Sequence, residues 1–376
     1  MAWRTGRWIG KAAALAGAAL AVLAVAGCAE LGYYWQSASG HLGLMRAARP
    51  LPQWLADATT SDALKTRLQL AQRIRRFATA ELGLPDNASY TAYADLHRPA
   101  AVWNVVAAPP YSLALKTWCF PVAGCVGYRG YYLEADAQSE AAALRTQGLE
   151  SAVYPVPAYS TLGWMNWAGG DPLLSTFIGY PEGELARIVF HELAHQAVYV
   201  AGDTAFNESF ATAVERIGGA LWLQREASEQ ARADYAAFDA RRNQFRALMR
   251  DTRRTLAQAY ESSAATAHDW PAVDAQKKQT MDDFRAAYAR LRESWTGPRQ
   301  GAYDTFVARA NNASFGAQSA YDDLVPAFEA LYQREGADWP RFYAEVRRIA
   351  ALPEPERRRA LITYSAKRKS SGDTGA

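Results

Sequence analysis

The run from His191 to Gln196, HELAHQ, constrains this 376-residue chain more than any other feature. It contains an H-E-x-x-H motif, and histidines four residues apart share one face of a helix. His191 and His195 could therefore bind one metal ion together, with Glu192 beside them. Pro181 suits the first turn of such a helix, and the acidic residues after it suit the positive end of the helix dipole. The motif predicts a zinc-binding helix; the alternative is a core helix with two structural histidines.

Glu208 could be the third zinc ligand, because it follows His195 by thirteen residues. Asp203 or Thr204 could cap a second helix that carries Glu208, and the glycine before them would let this helix fold back against the first. Two imidazoles and one carboxylate leave a fourth position open for water, as in catalytic zinc sites. We therefore expect one Zn²⁺ per chain, bound by the two histidines and Glu208.

Two more residues of the second helix belong to the predicted surroundings of the metal. Glu215 lies seven residues after Glu208, about two turns along the same face, where it could accept the second ring N–H of a ligating histidine. It could equally be an exposed surface carboxylate. Asn207, next to Glu208, is the other residue that we place beside the ligands.

The predicted chemistry is hydrolysis of a peptide substrate. Zinc lowers the pKa of a bound water to about 7, and Glu192 is the expected general base, which passes the proton of the water to the leaving amine. The developing oxyanion needs a second electrophile, commonly a Tyr or a His. With 20 tyrosines the sequence does not identify this residue, although Tyr159 and Tyr321 are candidates.

Residues 1–27 predict a lipoprotein signal peptide. Arg4, Arg7 and Lys11 form a basic start, and residues 12–27 are an apolar run too short to span a membrane comfortably. Residues 25–28, VAGC, match a lipobox, in which Cys28 is acylated and becomes the mature N-terminus. We expect a lipid anchor in the cell envelope, in the outer membrane and facing the periplasm. The alternative is an uncleaved membrane anchor.

The net charge of the chain depends on this segment. The chain has 41 basic and 38 acidic residues, but residues 1–27 hold three basic residues and no acid, so the remainder is balanced. A balanced charge gives no reason to expect nucleic-acid binding.

Two of the three cysteines remain once Cys28 carries the lipid. Cys119 and Cys125 would lie in an oxidising compartment, close together in the sequence. We expect a disulfide bond that closes this small loop. A metal-binding pair is the alternative, although no other cysteine is left to complete such a site.

The predicted fold class is α+β, mostly helical and zincin-like, with a small mixed sheet beside the motif helix and a long-helix C-terminal region. The expected divisions are a signal peptide over 1–27, a lipid-proximal tether over 28–60, a catalytic region over 61–220, a helical region over 221–364 and a disordered tail over 365–376.

Hydrophobic patterns place the main elements. Short strands are predicted at residues 101–106, 130–134 and 152–156, and residues 152–164 are the candidate edge that receives an extended substrate, unless they form an ordinary loop. Apolar residues at helical spacing from Phe238 to Leu256 and from Met281 to Trp295 predict two long antiparallel helices. Further helices are predicted over residues 62–82, 137–149, 321–336 and 339–352.

The two site segments resemble those of the gluzincin metallopeptidases. HELAHQ followed by NESFATAVE at residues 207–215 is similar to the M1 aminopeptidases, in which the second segment bears the third zinc ligand. The spacer is shorter here, and the G-x-M-E-N segment that grips the substrate amine in those enzymes has no counterpart. The resemblance therefore does not extend to the mode of amine binding.

A longer resemblance links the chain to the bacterial "predicted aminopeptidase" lipoprotein family. It rests on WCFP at residues 118–121, GCVGYRG at 124–130, AYSTLGW at 158–164 and DPLLST at 171–176, and residues 321–346 also fit. It implies a membrane-anchored zinc metallopeptidase of the cell envelope with aminopeptidase activity. The alternatives are an envelope zinc endopeptidase, a hydrolase of peptidoglycan cross-links, and a non-catalytic binding lipoprotein stabilised by metal.

Overall fold

The computed structural model describes residues 32–120, 124–158, 169–296, 300–317 and 324–371. The described residues divide into two units, one that ends at residue 47 and one that begins at residue 48. In the first unit, the described residues form one helix, α1, over residues 32–47. Among the described residues, no helix is both long and apolar enough to cross a membrane.

The second unit combines short strands with many helices, so the fold is α+β and mostly helical. The strands are β1 (Ala48–Pro50), β2 (Ala92–Ala94), β3 (Val102–Ala108), β4 (Trp118–Phe120), β5 (Gly124–Val126), β6 (Arg129–Tyr131), β7 (Glu150–Val156) and β8 (Leu173–Leu174). The helices are α2 (Leu51–Ala56), α3 (Asp62–Ala80), α4 (Glu134–Thr146), α5 (Glu182–Ala197), α6 (Thr204–Arg225), α7 (Glu229–Tyr260), α8 (Ser263–Thr266), α9 (Trp270–Ser294), α10 (Asp304–Arg309), α11 (Asn312–Ala317), α12 (Val325–Arg334), α13 (Trp339–Ala350) and α14 (Glu354–Ser371).

The described strands form three small sheets. The three predicted strands are β3, β6 and β7, and they make one antiparallel sheet with β3 in the centre. A mixed sheet comes instead from other segments, where β2 pairs antiparallel with β1 and parallel with β8. These strands have two or three residues, too few for a period-two pattern to show in the sequence. β7 is an edge strand, and residues 159–164 of the candidate substrate edge lie outside the described ranges.

The helices α5 and α6 pack against each other at the centre of the second unit. As expected, Asp203 caps α6, accepting a hydrogen bond from the backbone N–H of Phe206 (3.0 Å), and α6 folds back along α5. Aromatic rings surround the pair and are buried. They are Phe77, Phe190 and Trp222 in one group, and Phe206, Phe210, Phe328 and Phe342 in another.

The helices α7 and α9 form the predicted long pair. Residues 261–269 connect them and include the short helix α8, so the two long helices pack in opposite directions. The apolar stripe is buried between them, where Phe245, Met249 and Leu256 of α7 join Met281, Phe284 and Tyr288 of α9. The stripe is therefore the seam of a helix pair and not a ligand surface.

The structure departs from the expected divisions in three places. Residues 48–60, expected in the tether, belong to the second unit, where residues 48–56 form β1 and α2 and Leu51 is fully buried. The expected boundary at residue 220 falls inside α6. Residues 365–371, expected in a disordered tail, continue α14. Local composition does not reveal pairing with a distant segment, such as that of β1 with β2.

The hairpin of β4 and β5 carries a disulfide bond between Cys119 and Cys125. Gly124, the first residue of β5, lies against the connection between α5 and α6, because a Cβ on Gly124 would be only 2.4 Å from the backbone nitrogen of Gly202. Gly124 also has a φ of +74°, in the left-handed region that side chains disfavour. Glycine alone meets both conditions, so this contact constrains the sequence of the hairpin.

We expect Gly124→Ala to destabilise the protein more than Gly148→Ala does. Both glycines have a positive φ, but a Cβ on Gly148 meets no atom within 4 Å. Gly148→Ala should therefore show only the left-handed penalty of about 1 kcal/mol. Gly124→Ala should lose about 1–3 kcal/mol beyond that through overpacking. Urea unfolding of the two variants measures the difference, and equal losses would mean that the hairpin does not press on the helix connection.

Candidate metal centre

The helices α5 and α6 bring the predicted ligands together. His191 and His195 lie one turn apart on α5, and Glu208 lies in the second turn of α6. Asn207 holds the connection between these helices, since its side chain accepts a hydrogen bond from the N–H of Val200 (2.8 Å) and donates one to the carbonyl oxygen of Val200 (2.7 Å). Asn207 thus fixes the backbone of the connection just before Glu208.

Three side-chain atoms converge on one point. The Nε2 atoms of His191 and His195 are 3.1 Å apart, and Oε2 of Glu208 lies 3.3 Å from the first and 3.8 Å from the second. In the described part of the chain, these three residues are the group of His, Cys, Asp or Glu side chains close enough to hold a metal ion. The two imidazole rings meet edge to face, with centroids 4.7 Å apart.

This geometry fits a tetrahedral cation. Zinc binds imidazole nitrogen and carboxylate oxygen at about 2.0–2.2 Å, which places tetrahedral ligand atoms about 3.3 Å from one another. The three measured separations scatter around that value. The donor set of two nitrogens and one oxygen suits zinc, and it leaves one position of the tetrahedron for a water or a substrate atom.

Burial and charge set the protonation of the three groups without a metal. Burial lowers the pKa of His195 to about 4, so its ring is neutral near pH 7. Burial also lowers the pKa of His191, but the carboxylates of Glu208 and Glu215 outweigh it and raise this pKa well above the usual value. The pKa of Glu208 is lowered, because the histidines outweigh burial. A carboxylate beside an imidazolium thus occupies the site.

Glu215 contacts the outer side of the His191 ring. Its Oε2 lies 3.1 Å from Nδ1 of His191, although the ring N–H does not point straight at this oxygen. Only 12% of its side chain is exposed, which rules out the alternative of an exposed surface carboxylate and favours the predicted place beside a histidine ring. Arg187 and His191 outweigh burial and lower the pKa of Glu215 to about 2, so it stays ionised. An anion at Nδ1 favours the tautomer that directs the lone pair of Nε2 towards the centre.

Glu192 lies on the face of α5 beside the ligands, together with Gln196 one turn later. The Gln196 amide donates hydrogen bonds to the Ser89 hydroxyl (3.1 Å) and to the buried Asp171 carboxylate (3.2 Å), and it accepts one from Asn87 (2.8 Å). These contacts fix this face of the helix against two loops. The sequence offered no signal for them, because all three partners are distant in the chain.

The charge of Glu208 acts on three tyrosines. Burial, and after it the negative charge of Glu208, raises the pKa of each of these tyrosines, which are Tyr128, Tyr154 and Tyr199. The charge of Glu192 also contributes to the raised pKa of Tyr128. No pattern in the sequence separates them from the other tyrosines. Tyr159 and Tyr321, the candidates from sequence, lie outside the described residues, as does Cys28.

Zinc binding near pH 7 should release about one proton. His191 is cationic before binding and must lose its proton to become a ligand, whereas His195 is already neutral. Lowering the pH should therefore weaken zinc binding, and raising it through the pKa of His191 should strengthen it until the ring is neutral. Calorimetric titration in buffers of different ionisation enthalpy counts the protons. Tight binding with no proton release would mean that His191 is neutral in the metal-free protein.

Comparison with known proteins assigns the chain to a family. The family model described as "Putative aminopeptidase" matches residues 32–361, a range that contains α1 to α13 and the whole candidate centre. No curated protein and no solved structure matches the chain. Because the matched range covers most of the sequence, this chain is a member of the family described as "Putative aminopeptidase".

Proposed function

We propose that the protein is a zinc-dependent aminopeptidase anchored in the cell envelope by a lipid on Cys28. One observation carries the zinc part of the proposal: His191, His195 and Glu208 converge at separations of 3.1–3.8 Å, with an acidic residue directly after the first ligand. Membership of the aminopeptidase family supports the same reaction class. The natural substrate is then a peptide with a free N-terminus.

A bound zinc ion would polarise the scissile carbonyl and make water acidic enough to supply hydroxide at neutral pH. Glu192 takes a proton from the attacking water and delivers it to the leaving amine, so that one peptide bond is exchanged for a carboxylate and an amine. Glu215 keeps the His191 ring in its binding tautomer. Tyr128, whose pKa is raised by burial and by the charges of Glu208 and Glu192, is our candidate for the residue that donates a hydrogen bond to the developing oxyanion.

We expect Glu192→Gln to retain about one zinc per chain and to hydrolyse peptides about 10²–10⁴-fold more slowly, because it removes the base but no ligand. Glu208→Ala should lose both zinc and activity. Elemental analysis and a peptide-hydrolysis assay on the full-length protein in detergent measure the two properties. Glu226→Gln, an exposed change just after α6, is the matched control and should alter neither.

The choice of substrates in this assay separates the possible reactions. Cleavage of a free peptide but not of its N-acetylated form supports the aminopeptidase, whereas equal cleavage of both favours an endopeptidase. Release of fragments from purified peptidoglycan, without action on peptides, would favour a cross-link hydrolase. A zinc-loaded wild-type protein that cleaves none of these substrates would favour a binding protein. A fully active Glu192→Gln variant would exclude the proposed base.

The lipid anchor has its own test. Cells fed a labelled fatty acid should incorporate label into the wild-type protein and not into Cys28→Ser, because the Cys28 thiol is the acylated group. Wild-type protein should also partition with membranes. Label that persists in Cys28→Ser would move the attachment elsewhere, and an unlabelled wild-type protein with an intact N-terminus would favour an uncleaved membrane anchor.

A further inference from the structure

Arg187 connects the metal centre to a buried ionic cluster. It lies one turn before His191 on α5, and its guanidinium group binds the Oε1 atom of Glu215. The other oxygen of the same carboxylate, Oε2, lies 3.1 Å from the His191 ring. The Glu215 carboxylate therefore contacts Arg187 through Oε1 and the imidazole of His191 through Oε2. The side chain of Arg187 is only 5% exposed, so water does not replace this contact.

The cluster continues from Arg187 to the long helix α7. Glu184 lies 3.4 Å from Arg187 and accepts two hydrogen bonds, of 2.8 and 2.7 Å, from Arg242 of α7. The Tyr235 hydroxyl of α7 lies 3.3 Å from Arg187 and 3.4 Å from Arg242. Asp239 binds Arg242 and lies 3.9 Å from Arg187. An unbroken series of polar contacts therefore runs from α7 to the His191 ring.

Two glycines make room for this cluster. A Cβ on Gly219 of α6 would lie 2.9 Å from Cγ of Arg187, and a Cβ on Gly183 of α5 would lie 2.4 Å from the Tyr235 ring. Glycine inside a helix costs about 1 kcal/mol relative to alanine. Larger residues here would press on the arginine and on the tyrosine that contacts it. Gly183 and Gly219 therefore lower the stability of α5 and α6 but leave space for the cluster between the helices.

Stability alone is a poor explanation for such a cluster. Replacing a buried ion pair with apolar side chains of similar volume is often neutral or stabilising, because both charges lose their hydration. Buried charges are well suited to holding a neighbour in one orientation. Here the neighbour is Glu215, and what Glu215 orients is a candidate metal ligand.

We propose that Arg187 is a positioning residue of the metal centre, which holds Glu215 in the orientation that fixes the His191 ring, and that Glu184 and Arg242 tie this arrangement to α7. The proposal rests on the proposed zinc site. Helix α7 then stabilises the centre through the contacts of Arg242 with Glu184 and of Glu184 with Arg187. Without the guanidinium group, the Glu215 carboxylate is free to turn, and Nε2 of His191 is no longer held in the position that binds the cation.

The test measures zinc affinity by competition with a chelator, on full-length protein in detergent, beside the unfolding midpoint of the metal-free protein. Arg187→Gln should bind zinc about 10- to 100-fold more weakly, as is usual when a partner of a metal ligand is lost. Arg187→Lys, which keeps the charge but not the planar fork, should lie between Arg187→Gln and wild type. Arg242→Gln, one contact further from the candidate centre, should lose less zinc affinity than Arg187→Gln. It takes the place of Arg187→Gln in the test if that variant does not fold.

The matched control is Lys277→Gln. Lys277 of α9 forms a partly buried ion pair with Glu150 of β7 and donates a hydrogen bond to the carbonyl oxygen of Pro110, so it also joins the helix pair to the rest of the unit, through partners that lie outside α5 and α6. We expect it to lower the unfolding midpoint and leave zinc affinity unchanged. Zinc affinity that falls equally in Lys277→Gln and Arg187→Gln would reduce Arg187 to a general structural role and overturn the proposal.

Two further measurements separate positioning from general damage. Arg187→Ala should regain zinc affinity on addition of guanidinium ion, at concentrations far below those that unfold the protein, because Arg187 lines a cavity of about 340 Å³ with Tyr235 and Asp239. Since Arg187 acts through Glu215, the double variant Arg187→Gln/Glu215→Gln should bind zinc no more weakly than Glu215→Gln alone. Additive losses, or a folded Arg187→Gln with wild-type affinity, would overturn the proposal. A wild-type protein that binds no zinc would instead overturn the proposed function.

Discussion

The packing of α5 against α6 is the interaction on which the rest of the structure depends. It brings two imidazole nitrogens and a carboxylate oxygen to within 3.1–3.8 Å of one another in the protein interior. Burying such groups is costly unless each has a partner. On the outer side of the His191 ring, Glu215 is this partner. On the inner side, between the three converging side chains, the partner is a proton or a cation. The surrounding elements keep this contact in place.

Each surrounding element touches a different part of the helix pair. The disulfide-bonded hairpin presses on the connection at Gly202, and Asn207 closes the same connection from within. The loops that carry Ser89 and Asp171 hold Gln196, one residue after His195. On the opposite side, α7 approaches through Arg242 and Tyr235. Contacts from several directions hold the side chains of His191, His195 and Glu208 at fixed separations.

The division of the chain follows from the same contacts. The sequence suggested a catalytic region up to residue 220 and a separate helical region, because the pattern becomes almost wholly helical after Glu208. In the structure, that boundary falls inside α6, and α7 contributes side chains to the cluster behind His191. A hydrophobic stripe shows that a helix has a partner, but the polar face of α7 carries the contacts that join it to the centre. Periodicity says nothing about such contacts.

The sequence by itself determined the parts of the site that depend on local geometry. Residues four apart on a helix share a face, so the roles expected of His191, His195 and Glu192 follow from spacing alone, and the return of Glu208 follows from a capped second helix. The main helices followed from periodicity, and the strands of the β6-β3-β7 sheet followed from their apolar, β-branched and aromatic residues. Tertiary structure decided the rest. Arg242 meets Glu184 across 58 residues of chain, and Asn87 meets Gln196 across 109, and no local pattern announces either contact. Charged and amide groups find such partners only when packing brings distant elements together, because their bonding has no period along the chain.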